Sequence, residues 1–160
     1  MMRLAILMAL GFVQGACGSA QPAGNSVAAG SPASDLNQGS EPTMSETRIS
    51  IATDRGQVTA QLADNDAARA LVGMLPLTIE MRDHLRQEKT GTLPSALPEL
   101  PRQTGFSAGT LGLWGDRDFV IYHRNGRVPE PGIVVLGRVI GDLSMFEGPE
   151  SVRVRIQRAE

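Results

Sequence analysis

The sequence predicts a mainly β domain of short strands joined by tight turns. Three observations predict it. Between Phe106 and Ile140, three apolar runs rich in β-branched and aromatic residues are cut by Gly, Asp, Asn and Pro, the pattern of buried strands separated by turns. Arg48–Ala52 and Gln57–Leu62 alternate with period two around Asp54-Arg55-Gly56, which reads as a hairpin with one wet face. Ser151–Gln157 sets Val152, Val154 and Ile156 on one face, a further strand. Many short strands at even spacing point to a closed barrel, with an open sandwich as the alternative.

Taken in order, the chain starts with a positive Arg3 and an apolar run, Leu4–Val13, whose ten residues suit a signal peptide and are too few to span a bilayer. The only cysteine, Cys17, follows small residues at its end. This resembles a bacterial lipoprotein signal, in which such a Cys is acylated and becomes the mature N-terminus. Residues 1–17 are therefore expected to be a lipoprotein-type signal with Cys17 as the lipidation site. The protein would then sit on a membrane, facing the periplasm or exterior. Ordinary secretion, with cleavage near Ala16 or Ala20, is the alternative. Residues 18–45, rich in Gly, Ser, Ala, Pro, Asn and Gln, hold too few large apolar side chains to offset their ordering entropy, and are expected to form a disordered tether to a domain over 46–160.

After the hairpin, Asp64 or Asn65 can cap a helix whose Ala67, Ala70, Leu71, Met74 and Leu75 share a face, and Pro76 keeps it short. Leu77–Met81 alternates again. From Arg82 to Gly105 the alternation breaks up around Pro94, Pro98 and Pro101, which reads as a long loop. The only Trp and the only Tyr, Trp114 and Tyr122, fall in the Phe106–Ile140 stretch. Each ring buries a large apolar area and needs a partner for its N–H or O–H, so this stretch is the expected centre of the core. Asp142–Phe146 suits one helical turn.

Composition narrows the partners. Formal charge is −2, no basic patch or charge run appears, and a nucleic-acid partner is not expected. Lys89 is the only lysine. No phosphate loop, dinucleotide fingerprint, Ser-His-Asp or Cys-His arrangement is present, and no cofactor is assigned. His84, Glu88 and His123 could supply three metal ligands, but two histidines and scattered acids are ordinary background, and no metal site is assigned.

Four motifs occur in order: Leu75-Pro-Leu-Thr-Ile-Glu-Met81, Glu88-Lys-Thr-Gly-Thr-Leu-Pro94, Ala108-Gly-Thr-Leu-Gly-Leu-Trp-Gly115 and Leu136-Gly-Arg-Val-Ile-Gly-Asp142. Together they resemble the bacterial cyclophilin-like domain, a group of secreted and lipid-anchored proteins. The resemblance implies a closed eight-stranded antiparallel barrel with short helices at its ends. Two positions depart from the family pattern: Thr90 replaces a Tyr, and Asn125–Gly132 replaces a run rich in Ser, Thr and Tyr.

Three function classes follow. The leading one is a binding module for a small molecule or an extended peptide. Its polar candidates are Glu88, Lys89, Tyr122 and Arg138, with Met81 as an apolar floor and Trp114 as the minority candidate beside its simpler role as a core ring. The Glu88-Lys89 pair reads first as a solvated loop contact, and Arg138, inside an apolar strand, must find a partner or reach the surface. The second class is a peptidyl-prolyl isomerase, which would gather Arg82, Met81 and Phe106, with Trp114 and His123, around a proline pocket. The third is a structural lipoprotein with no ligand. Fold alone does not choose among them.

Overall fold

The computed structural model describes residues 43–160. The signal, the acylation site and most of the tether expected above lie outside the described residues. The hairpin forms where the alternation places it: β1 (Met44–Thr53) and β2 (Gly56–Ala63) pair from Thr53↔Gly56 outward. Ile49, Ile51, Ala60 and Leu62 are buried on the inner face. β1 starts at Met44, ahead of the Glu46 boundary read from the sequence. After Met44 its first residues, Ser45, Glu46 and Thr47, are polar and the register shifts between Met44 and Arg48, so no apolar alternation marks them. The Gln61 amide secures them by donating to the Ser45 carbonyl at 3.0 Å.

The helix α1 (Asp66–Gly73) is capped by Asn65, whose Oδ1 accepts from Ala68 N at 2.8 Å. The same side chain donates through Nδ2 to the Val135 carbonyl at 2.9 Å, which fixes the helix start against a barrel strand. Ala67, Ala68 and Leu71 join the main core. β3 (Leu77–His84) follows, then β4 (Glu88–Thr92), β5 (Gly105–Phe106), β6 (Thr110–Trp114), β7 (Asp118–Tyr122), β8 (Gly126–Arg127), β9 (Val134–Ile140), a 3-10 turn η1 (Ser144–Phe146) and β10 (Val152–Arg158).

Eight strands close into an antiparallel barrel in the order β1-β10-β3-β4-β7-β6-β9-β2, while β5 and β8 pair separately as a two-stranded ribbon. Closure leaves the barrel no free sheet edge. The sandwich alternative is thereby set aside. Among the described residues no helix is long and apolar enough to cross a membrane.

The long loop expected over 82–105 is corrected. β3 runs on to His84, and Glu88–Thr92 is a full strand between β3 and β7. The reason lies in its inward positions, which are Lys89 and Gly91 rather than apolar residues, so period two carries no hydropathy signal. Only the Pro-rich part is irregular, and it is held down. Leu93 N and Leu97 N donate to the carbonyls of Arg117 and Asp116, each at 2.8 Å, and both leucines are buried.

Candidate functional site on the outer face of the barrel

Side chains alternate across each strand, so neighbouring residues on β3, β4 and β7 serve opposite faces. Met81, Asp83, Lys89, Phe119 and Ile121 point inward. Arg82, His84, Glu88, Thr90, Val120 and Tyr122 point outward, in rows set by the pairs His84↔Glu88↔Tyr122 and Arg82↔Thr90↔Val120.

The inward face ends in a polar cluster. Lys89, 1% exposed, donates from Nζ to the carbonyls of Gly148 at 2.6 Å and Glu150 at 2.8 Å, and lies 3.6 Å from Asp83 Oδ1. It thus ties β4 to the segment leading into β10. His123 Nε2 is 3.9 Å from the same Asp83 oxygen, and neither ring nitrogen has a hydrogen-bond partner. Burial lowers the imidazole pKa, with the Asp83 carboxylate pulling the other way and Lys89 reinforcing burial.

The outward face carries a second apolar cluster, Phe106, Val120, Tyr122, Val128 and Ile133, with Trp114 against it. The β5–β8 ribbon roofs it. Phe106 stacks on Tyr122 with ring centroids 3.7 Å apart and 22° between planes. Gly126 makes room for this stack, since a Cβ there would come within 2.6 Å of Phe106 Cζ. The Tyr122 hydroxyl is buried without a hydrogen-bond partner. Burial and the adjacent Glu88 carboxylate both raise its pKa. Glu88 itself is 2% exposed, and burial raises its carboxyl pKa against the hydrogen bond donated by Gln87 Nε2 at 3.2 Å.

Two depressions flank this aromatic cluster. The smaller, about 330 Å³, is lined by Arg82, His84, Glu88, Thr90, Trp114, Gly115 and Asp118. The larger is an open groove of about 780 Å³ on the β6–β9 side. Leu100, Pro101, Phe106, Val134 and Val135 form its apolar wall, and Arg102 and Arg138 bring its charge. Arg102 is committed to the chain, donating to the carbonyls of Gly115 at 2.6 Å, Gly132 at 3.4 Å and Leu113 at 3.5 Å. Arg138 reaches the surface and donates only to the Ala108 carbonyl, at 3.3 Å, among the described residues.

The residues singled out in the sequence therefore have three settings. Met81 and Lys89 belong to the barrel interior, where neither offers a surface to a ligand. Lys89 and Glu88 are not a solvated loop pair, because they sit buried on opposite faces of one strand. Arg82, Glu88 and Trp114 share the smaller cleft, with Tyr122 behind them; Phe106 and Arg138 share the larger groove. The grouping of Arg82, Met81 and Phe106 around one pocket does not form: Met81 faces inward, and the other two line different depressions. Two residues were not singled out. Asp83 continues the inward series Leu77, Ile79, Met81 by one step, a signal legible in the sequence. Arg102 gave none. Among the described residues no group of His, Cys, Asp and Glu is gathered to hold a metal ion.

The sequence matches the cyclophilin-like family over residues 51–157, well over half the chain. The chain belongs to the cyclophilin-like family. No curated protein matches it. The solution structure of a hypothetical protein from Archaeoglobus fulgidus is similar at 15% identity and a TM-score of 0.58, covering 76% of this chain and 99% of that one. At that identity the likeness concerns the fold alone. It places the cyclophilin-like barrel in an archaeal protein as well.

Proposed function

We propose that this cyclophilin-like barrel is an extracytoplasmic binding module, tethered through Cys17, that takes a small molecule or an extended peptide in the groove between Phe106 and Arg138. The observation that carries the reading is the groove itself: about 780 Å³ of open space with an apolar wall, an aromatic edge held by stacking, and an arginine with donors to spare. Ligand sites typically combine an apolar surface with a few fixed polar groups. Isomerase activity ranks below binding, because Arg82, Met81 and Phe106 have separate surroundings.

The test is thermal-shift profiling of the protein against small molecules and extended peptides, since a ligand selective for the native state raises its apparent stability. Hits should disappear in Val135→Trp, which fills the groove. A hit that survives Val135→Trp but is lost in Trp114→Ala would move the site to the smaller cleft. Anchoring is tested separately: Cys17→Ala should release the protein from the membrane fraction or block its processing.

A further inference from the structure

We infer that the groove recognises a carboxylate carried on an apolar body, with Arg138 as its anchor; this rests on the groove being the binding site. Its lining contains Arg102 and Arg138 and no Asp or Glu, although the chain as a whole carries a net charge of −2. The two arginines differ in what they have left to give. Arg102 is occupied by three backbone carbonyls, so it contributes positive field but few free donors. Arg138 has one bond, to Ala108, and forms no ion pair among the described residues. A guanidinium carries five N–H donors in a fixed fork, so most of the Arg138 donors are open to a ligand.

The Arg138 stem is also positioned by its strand and its neighbours. It projects from β9 opposite Thr110 on one neighbour and Gln61 on the other. It lies along Gly109, where an added Cβ would sit 3.5 Å from Arg138 Cγ and 3.7 Å from Nε. A side chain positioned along its stem loses less freedom on forming a paired contact, and a carboxylate matches the fork with two parallel hydrogen bonds. Beside it stand Phe106, Val134, Val135, Leu100 and Pro101, which reward an apolar body. A phosphate would call for several free cations or a row of backbone N–H donors. A single open guanidinium beside an apolar wall fits a carboxylate. The carboxylate can come from a free organic acid or from the C-terminus of a peptide ending in an apolar residue.

Matched pairs of probes test this. Naphthaleneacetate is compared with naphthaleneacetamide, and the peptide Ala-Ala-Phe with its C-terminal amide, by calorimetry on the full-length protein. At least one acid should bind about ten-fold or more tightly than its amide, with the gap shrinking as salt is raised. Arg138→Gln should abolish the gap, whereas Arg158→Gln, an equal charge change on an exposed β10 residue, should leave it intact. A gap in the naphthalene pair alone identifies a free acid, and one in the peptide pair alone a chain terminus. Equal binding of acid and amide, or a gap that survives Arg138→Gln, overturns the inference while leaving the binding module standing. If none of the four probes binds, the inference also falls. The module reading fails with it only if the wider profiling yields no hit sensitive to Val135→Trp.

Discussion

Lys89 and Glu88 are adjacent in the chain, equally buried, and treated in opposite ways. Lys89 enters the barrel and finds two carbonyls and a carboxylate; Glu88 faces out beside a tyrosine hydroxyl with no partner and accepts one hydrogen bond from Gln87. The interior polar cluster thus has a clear structural role at Lys89, where one side chain joins β4 to the start of β10. The exterior cluster opens onto both depressions and leaves the Tyr122 hydroxyl without a hydrogen-bond partner, while the interior cluster leaves Asp83 Oδ1 and both His123 ring nitrogens without one. What separates the two residues is what each side chain joins: Lys89 bonds backbone distant in sequence, whereas Glu88 bonds only its neighbour Gln87.

The contrast is broken most severely at Lys89. Lys89→Met keeps much of the volume but strands the Gly148 and Glu150 carbonyls and leaves Asp83 without its cation. Removing one member of a buried pair typically costs about 3–5 kcal/mol, and urea unfolding should show a loss in that range. A loss below about 1 kcal/mol would mean that water readily replaces the ammonium.

Phe106→Ala should be milder, about 2–3 kcal/mol, because the stacked ring lies at the edge of a satellite cluster rather than in the main core. The same variant should alter Tyr122 fluorescence and weaken any groove ligand. An effect as large as that of Lys89→Met would make the outer cluster an equal partner in stability.

Titration sharpens the comparison further. His123 has its pKa lowered in the folded state, so the unfolded chain binds the proton more readily. Its neutral form is accommodated fully above the ordinary imidazole value of about 6.5, and stability should decline as pH falls from there through the folded value. His123→Gln should flatten that acid-side decline. Glu88 has the opposite sign of shift: its raised carboxyl pKa means that stability declines as pH rises from the ordinary carboxylate range through the folded value. Glu88→Gln should therefore be neutral or stabilising at pH 7 and flatten the decline that begins in the ordinary carboxylate range. A Glu88→Gln protein less stable at neutral pH would show that the ionised carboxylate has a partner in solution.

The smallest effect belongs to the exposed pair Arg153–Glu80. Its 2.6 Å contact is short, but both side chains are well solvated, and Arg153→Ala should change stability by about 0.5 kcal/mol or less.

Several features of this protein were legible in the residues alone. The β1–β2 hairpin, the short helix capped at Asp64 or Asn65, β10 and the barrel class follow from period two, a capping side chain and β-branched runs, because these patterns reflect local backbone geometry and one buried face; the structure then gives the cap to Asn65. The strand β4 was not legible: its inward positions hold Lys89 and Gly91, and a lysine reads as solvent-facing until Gly148 and Glu150, about 60 residues away, are brought to it. The site shows the same division. Tyr122 and Trp114 were recognisable as rings needing burial, Phe106 as a member of an apolar pocket, and Arg138 as a charge needing an exit. Their distribution between a cleft and a groove depended on which strands became neighbours. Only closure of the barrel set Arg82 on one side of the aromatic stack and Arg138 on the other, since alternation specifies the face of a strand while the order of strands around the barrel is decided by contacts distant in sequence.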